Sequence, residues 1–196
     1  LAASAVSDKR SVLRTNGLRC MAELFSCEIG RGLTADETEA LVKVALACQK
    51  PSVKFSREES DEAMDAAVEN ANPVALLNAI IRQALGGHPT VVSRALIYVG
   101  ECLSRLEVGD VLGNGVPDGL DMKSLIPALA CGAASKLPEA KEAAWKALER
   151  CRKALEEEGL EAAVEEHASR GGARVLRDLL STKLRQRERA ATRASA

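Results

Sequence analysis

The chain has 196 residues, of which 46% are hydrophobic and only 2% aromatic. A core built from alanine, leucine, valine and isoleucine at this length favours one domain of packed helices over an aromatic-rich β-sandwich. The 27 basic and 28 acidic residues leave a net charge of −1, so overall charge gives no argument for nucleic-acid binding.

The first clear helix signals occur in the N-terminal third of the chain. Thr34 and Glu37 have the spacing of a capping box, and the helix that they begin ends before Pro51. Ser56 and Glu59 repeat this spacing, which predicts a second capping box. The acidic run after Ser56 is interpreted as the solvated face of that second helix.

Further helices follow in the middle of the chain. Asn72 and Pro73 predict a cap followed by proline at the first helical position, and the glycines at 86–87 predict the end of that helix. Thr90 is predicted to cap the next helix. The segment 107–121 contains four glycines and a proline without any hydrophobic period, which predicts a long loop.

The C-terminal part also has helical periodicity. We predict a helix over 125–134, a long helix from Pro138, an acidic segment flanked by glycine over 159–170 and a last helix from about Ala173. No convincing alternation of period two appears in the sequence. At least eight helices and no sheet are therefore expected.

Four of the predicted helices share one register. Their small residues are separated by 43, 35 and 48 residues, and apolar residues recur four and eight positions later. The register comprises Gly17, Ser60, Ala95 and Ala143, then Met21, Met64, Val99 and Ala147, then Phe25, Val68, Leu103 and Cys151. Such periods predict an all-α fold, an α-solenoid in which each helical pair buries its apolar face by stacking on the next.

The six cysteines, at positions 20, 27, 48, 102, 131 and 151, include no C-x-x-C pair and no zinc-site spacing. Their number permits a disulfide framework, but a chain with this much aliphatic content does not need one. We expect reduced, mostly buried thiols in an intracellular protein. No apolar run reaches the length of a membrane span, and no signal-peptide pattern is present.

Three stretches carry a family resemblance: SVLRTNGLRCMAELFSCEIGRGLT, KFSREESDEAMDAAVENANPVALLNAII and GGHPTVVSRALIYVGECLSRL. Together with LIPALACGAASKLPEAKEAAWKAL, they resemble HEAT repeats. More narrowly, the chain resembles the TOG domain, a HEAT-repeat module that binds tubulin, and is most similar to the TOG domains of the crescerin/TOGARAM family of ciliary microtubule regulators.

The resemblance implies a TOG-like domain over 1–169, with its N-terminal repeat truncated, and a basic C-terminal helix and tail over 170–196. The chain begins at Leu1 inside an alanine-rich apolar segment, which predicts a fragment. The one tryptophan, Trp145, lies inside a late helix and is expected in the core.

The resemblance also implies a function without catalysis. The expected partners are tubulin or the microtubule lattice, and other axonemal proteins, in the cytoplasm and cytoskeleton, including the cilium. No cofactor, nucleic acid or membrane is expected. The alternative is a HEAT-repeat scaffold that packs against another protein without binding free tubulin.

The candidate contacts with tubulin lie in or beside the turns within the helical pairs, which stacking would align along one edge. A row of cations there would suit an acidic protein surface, and one aromatic side chain would add an apolar anchor. These candidates are Lys9, Arg10, Lys54, Phe55, His88, Arg94, Lys136 and Lys141. The alternative is that they are ordinary solvated turn residues, with Phe55 in the core.

Two other functional interpretations have less support. The basic segment 170–196 is either a second contact for an acidic filament or nucleic acid, or a solvated capping helix. Catalysis has no recognisable motif, because His167 has no nucleophile pattern nearby and the glycines at 113 and 115 lack the following lysine of a P-loop.

Overall fold

The computed structural model describes residues 6, 11–50, 56–85, 88–105 and 120–194. Within these ranges the chain is helical and contains no strand, which confirms the all-α class. The described helices are α1 (Ser11–Ser26), α2 (Glu28–Arg31), α3 (Ala35–Ala47), α4 (Arg57–Asn70), α5 (Pro73–Ala84), α6 (Pro89–Arg105), α7 (Met122–Ala134), α8 (Pro138–His167) and α9 (Arg170–Ala194). The predicted loop over 107–121 and the glycines at 86–87 lie mostly or wholly outside the described residues.

The contacts between helices sort them into two layers. In one layer α1 packs on α4, α4 on α6 and α6 on α8. In the other layer α3 packs on α5, α5 on α7 and α7 on α9. Contacts between α3 and α4, α5 and α6, and α7 and α8 join the layers, so each of these successive pairs lies across the core.

The shared register describes the buried side of one layer. Its positions fall on α1, α4, α6 and α8, and every one is buried except Val68, which is half-buried. Small residues at Gly17, Ser60, Ala95 and Ala143 recur where these helices approach their neighbours, so the predicted apolar faces are confirmed. Trp145 is 3% exposed and belongs to the core, as expected.

Two predicted helix starts are confirmed in atomic detail. Thr34 Oγ1 accepts the backbone N–H of Glu37 at 3.3 Å, while the Glu37 carboxylate accepts the Thr34 N–H at 2.9 Å. The hydrogen bonds from Thr34 lower the pKa of Glu37. Asn72 Oδ1 accepts the N–H groups of the second and third residues of α5, which begins at Pro73.

The capping predicted at two other starts is wrong, although α4 begins directly after Ser56 as predicted. The Ser56 side chain makes no capping bond, because it is buried among neighbouring helices and its backbone is not extended. Glu59 instead forms an ion pair with Arg19 on α1, at 3.5 Å. Helix α6 begins at Pro89 rather than after Thr90, and His88 Nδ1 accepts the Thr90 N–H at 3.3 Å. An imidazole thus occupies the capping role predicted for a hydroxyl.

The cysteines are all free, as predicted, but they are not mostly buried. Cys20 and Cys131 are exposed on the outer faces of α1 and α7, and Cys27 is exposed between α1 and α2, whereas Cys48, Cys102 and Cys151 are buried.

We therefore expect a thiol reagent to modify three cysteines of the native protein rapidly and three only slowly. Burial raises the pKa of Cys102 and of Cys151 to about 12, which removes the reactive thiolate at neutral pH. Mass spectrometry of labelled native protein measures this division, and labelling in denaturant supplies the reference of six modified thiols. Equal rates at Cys20 and Cys151 would contradict it.

Helix α8 begins at Pro138 as predicted, but it is interrupted at Glu156, where φ is 60° and ψ is 179°. The predicted acidic segment over 159–170 is helical as far as His167, so Gly159 does not separate it from the preceding helix. The break lies three residues before Gly159, at Glu156, and not at the glycine.

Replacing Glu156 with glycine is expected to stabilise the protein by about 1 kcal/mol, because this backbone region is nearly exclusive to glycine. The matched change Glu157→Gly, at the neighbouring helical position, is expected to cost about 1 kcal/mol. Urea denaturation of both variants measures the difference. A loss of stability in both would show that residue 156 is not strained in solution.

Candidate partner-binding edge

The N-termini of α4, α6 and α8 meet at one edge of the molecule. Arg57 is the first residue of α4, Thr90 the second of α6 and Pro138 the first of α8, and all three line one cavity of about 540 Å³. We call this region, together with the turns that precede these helices, the turn edge. Helix N-termini carry partial positive charge, so three of them together favour an anionic partner.

The predicted contact residues are only partly described. Lys9, Arg10, Lys54 and Phe55 lie outside the described residues. His88, Lys136 and Lys141 are exposed, and none of the three has an ion pair in the described ranges. His88 precedes α6, and Lys136 and Lys141 flank the start of α8, so these three belong to the turn edge.

Arg94 has an internal partner that the sequence did not indicate. Its Nη2 donates to Asp61 Oδ2 at 2.9 Å, and Tyr98 Oη donates to Asp61 Oδ1 at 2.8 Å. Burial of Tyr98, together with the nearby Asp61 charge, raises the pKa of the phenol. The Arg94 side chain is still 38% exposed, so it lines the edge while being anchored to α4.

The same carboxylate also accepts a hydrogen bond from the turn that follows α3. Gln49 Nε2 donates to Asp61 Oδ1 at 2.8 Å and to Ser60 Oγ at 2.9 Å. Ser60 Oγ donates to the carbonyl of Ala45 at 2.8 Å. Asp61 on α4 therefore joins Gln49, in the turn after α3, to Arg94 and Tyr98 on α6, which corrects the interpretation of the whole acidic run as a solvated face.

A second cavity, of about 500 Å³, adjoins the turn edge between α3, α5 and α6. Its cationic lining residues are Lys43, Lys50 and Arg82, and His88 also lines it. Arg82 is paired with Glu39, whereas Lys43 and Lys50 are exposed and have no ion pair in the described part of the chain. The edge thus extends its positive charge onto the other layer.

The basic C-terminal helix is engaged with the body of the protein. Its cations pair with carboxylates of α8: Arg177 with Glu161 and Glu165, Lys183 with Glu142, and Arg187 with Glu149. Its apolar residues Ala173 and Leu176 are buried. Much of the charge that made this helix a candidate contact is therefore already compensated within the chain.

Among the described residues, no cluster of histidine, cysteine or acidic side chains has the composition to hold a metal ion. None of the described helices combines the length and apolar character that crossing a membrane requires. No protein-family model matches the chain, and no curated protein is similar enough to it to count as a relative.

Proposed function

We propose that the chain is a TOG-like array of HEAT repeats that binds tubulin through the turn edge and has no catalytic role. The observation that carries this proposal is the convergence at one edge of three helix N-termini with exposed His88, Lys136 and Lys141, the two lysines having no ion pair among the described residues. The two-layer order of the helices supports the α-solenoid part of the proposal, because helical pairs stacked in sequence produce this pattern of contacts.

Charge distribution supports an acidic partner. The chain as a whole has a net charge of −1, so non-specific attraction to a polyanion is weak. The described turn edge places Lys136 and Lys141 beside three helix N-termini. An acidic protein surface such as that of tubulin would be steered to this edge and oriented by it.

Sedimentation with microtubules, beside gel filtration with free tubulin, tests the proposal. We expect the chain to pellet with microtubules or to elute with tubulin at low ionic strength. Binding should weaken as salt is added, because exposed charges are screened over roughly 8 Å at physiological ionic strength. Absence of both associations at low salt would contradict the proposal.

A scaffold that packs against another protein is the second candidate, and one observation favours it. Ile29 on α2 is 68% exposed and lies after the C-terminal end of α1, away from the helix starts that form the turn edge. A scaffold could use such an exposed apolar residue. Replacing Ile29 with serine would weaken partner binding in a scaffold and leave tubulin binding unchanged in a turn-edge binder.

A further inference from the structure

Buried polar atoms without partners are concentrated at the turn edge. Four buried side-chain atoms in the described residues have no hydrogen-bond partner, and three of them are Ser56 Oγ, Arg57 Nε and Ser93 Oγ. Ser56 and Arg57 are adjacent in sequence, while Arg57 and Ser93 line the same cavity of about 540 Å³. Leaving such groups without hydrogen-bond partners is unfavourable, so their grouping around one cavity indicates a binding site for a polar group.

Arg57 is the central residue of this group. Its side chain is half-buried, and no carboxylate pairs with it in the described part of the chain. A partly desolvated guanidinium without a counter-charge is stabilised strongly when an anion enters its cavity. Ser93 is 2% exposed, so its hydroxyl is held within the protein rather than in bulk water.

The remaining lining residues limit the charge of the ligand. Arg94 is already paired with Asp61, and Glu139 contributes a negative charge to the same cavity. Glu139 thus offsets part of the positive potential of Arg57 and the three helix N-termini, so the cavity suits a monoanion better than a doubly charged phosphate.

We propose that this cavity binds the carboxylate of an aspartate or glutamate side chain from an acidic protein segment. Arg57 forms the ion pair, and Ser93 and Thr90 supply hydroxyl groups beside it. The choice of an acidic protein as the source of the carboxylate rests on the proposed function. The inference adds to that function a pocket that binds one acidic side chain of the partner.

A fluorescein-labelled poly-glutamate peptide, titrated with the full chain and followed by anisotropy, tests the pocket. We expect Arg57→Gln to weaken binding about ten-fold or more, since it removes a charge-assisted contact. Ser93→Ala should weaken binding about three-fold without lowering the melting temperature, because its hydroxyl has no partner to lose.

Arg31→Gln is the matched control. Arg31 is exposed at the end of α2, and its replacement by glutamine removes the same charge as Arg57→Gln. The affinity of this variant for the peptide should stay within about two-fold of the wild type. Equal affinities of the Arg57 and Arg31 variants, with both folded, would overturn the pocket. Tighter binding of a poly-phosphoserine peptide that depends on Arg57 would overturn the choice of carboxylate.

The pocket and the proposed function can fail separately. Peptide binding that depends on Arg57, without any association with tubulin, would support the pocket and overturn tubulin as the partner. If the wild type binds tubulin but the Arg57→Gln variant binds the poly-glutamate peptide as tightly as the wild type does, the proposed pocket is wrong and the proposed function stands.

Discussion

Replacing Lys136, Lys141 and His88 together with glutamate is expected to weaken tubulin binding by the turn edge about 150-fold. An exposed charge pair contributes roughly 0.2–1 kcal/mol. Reversal of the two lysines replaces attraction with repulsion, and glutamate at position 88 adds a negative charge. The three changes should together cost roughly 3 kcal/mol, while each single change weakens binding only a few-fold. Gel filtration with tubulin and microtubule sedimentation both measure this loss.

The fold should tolerate this variant, because all three side chains are exposed and a glutamate at position 88 still offers an acceptor for the Thr90 N–H that His88 now accepts. The matched control reverses Arg170, Arg185 and Arg189 of α9, which are also exposed and have no ion pair in the described ranges. If the control loses tubulin and the turn-edge variant retains it, the basic helix is the contact and the turn edge is not.

Replacing Asp61 with alanine is expected to destabilise the protein by about 2–3 kcal/mol, because the change removes the acceptor for three donors. Gln49 and Tyr98 are both buried, so their polar atoms would lose a partner where water cannot easily replace it. Arg94 would lose less, since its side chain is 38% exposed and its charge is screened by solvent. Urea denaturation followed by circular dichroism measures the change.

Asp65, one turn further along α4, provides the matched control, because its substitution is expected to stabilise the protein rather than to destabilise it. Burial, and then the neighbouring charges of Asp61 and Glu69, raise its pKa above the ordinary value of 3.8. Because its charged form is disfavoured in the folded state, Asp65→Asn should stabilise the protein at neutral pH. That gain should shrink as the pH falls through the raised pKa and vanish below the ordinary one. A stabilising Asp61→Ala would refute the linking role of Asp61.

The parts of the fold that the sequence predicted depend on short-range patterns. The Thr34 and Asn72 caps join atoms within three residues, and the register around Gly17 and Ser60 repeats the helical period. Each can be recognised because the local pattern alone specifies the contact.

The parts that the sequence missed depend on contacts between distant segments. Asp61 meets Arg94 and Tyr98, which are 33 and 37 residues away, so nothing in its acidic surroundings distinguished it from solvated neighbours. Ser56 has a capping sequence but is buried by packing, which leaves its hydroxyl no access to the helix start. The break at Glu156 has no local signal, since glycine stands three residues later.

The candidate site was predicted in outline only. The sequence indicated cations in the turns, and the structure places His88, Lys136 and Lys141 at exposed positions there. It did not indicate Arg57 or Ser93, because a missing partner in a cavity between helices is a property of the assembled fold.

The seating of α9 on α8 gives the protein a built-in optical reporter. The Arg187 guanidinium lies 5.3 Å from the centre of the Trp145 ring, and the ion pairs of Lys183 with Glu142 and of Arg187 with Glu149 join this part of α9 to α8. High salt weakens these ion pairs but not the apolar contacts of the core. The emission of this single indole should therefore shift to the red when the end of α9 lifts off, at salt concentrations where the helical circular dichroism is unchanged.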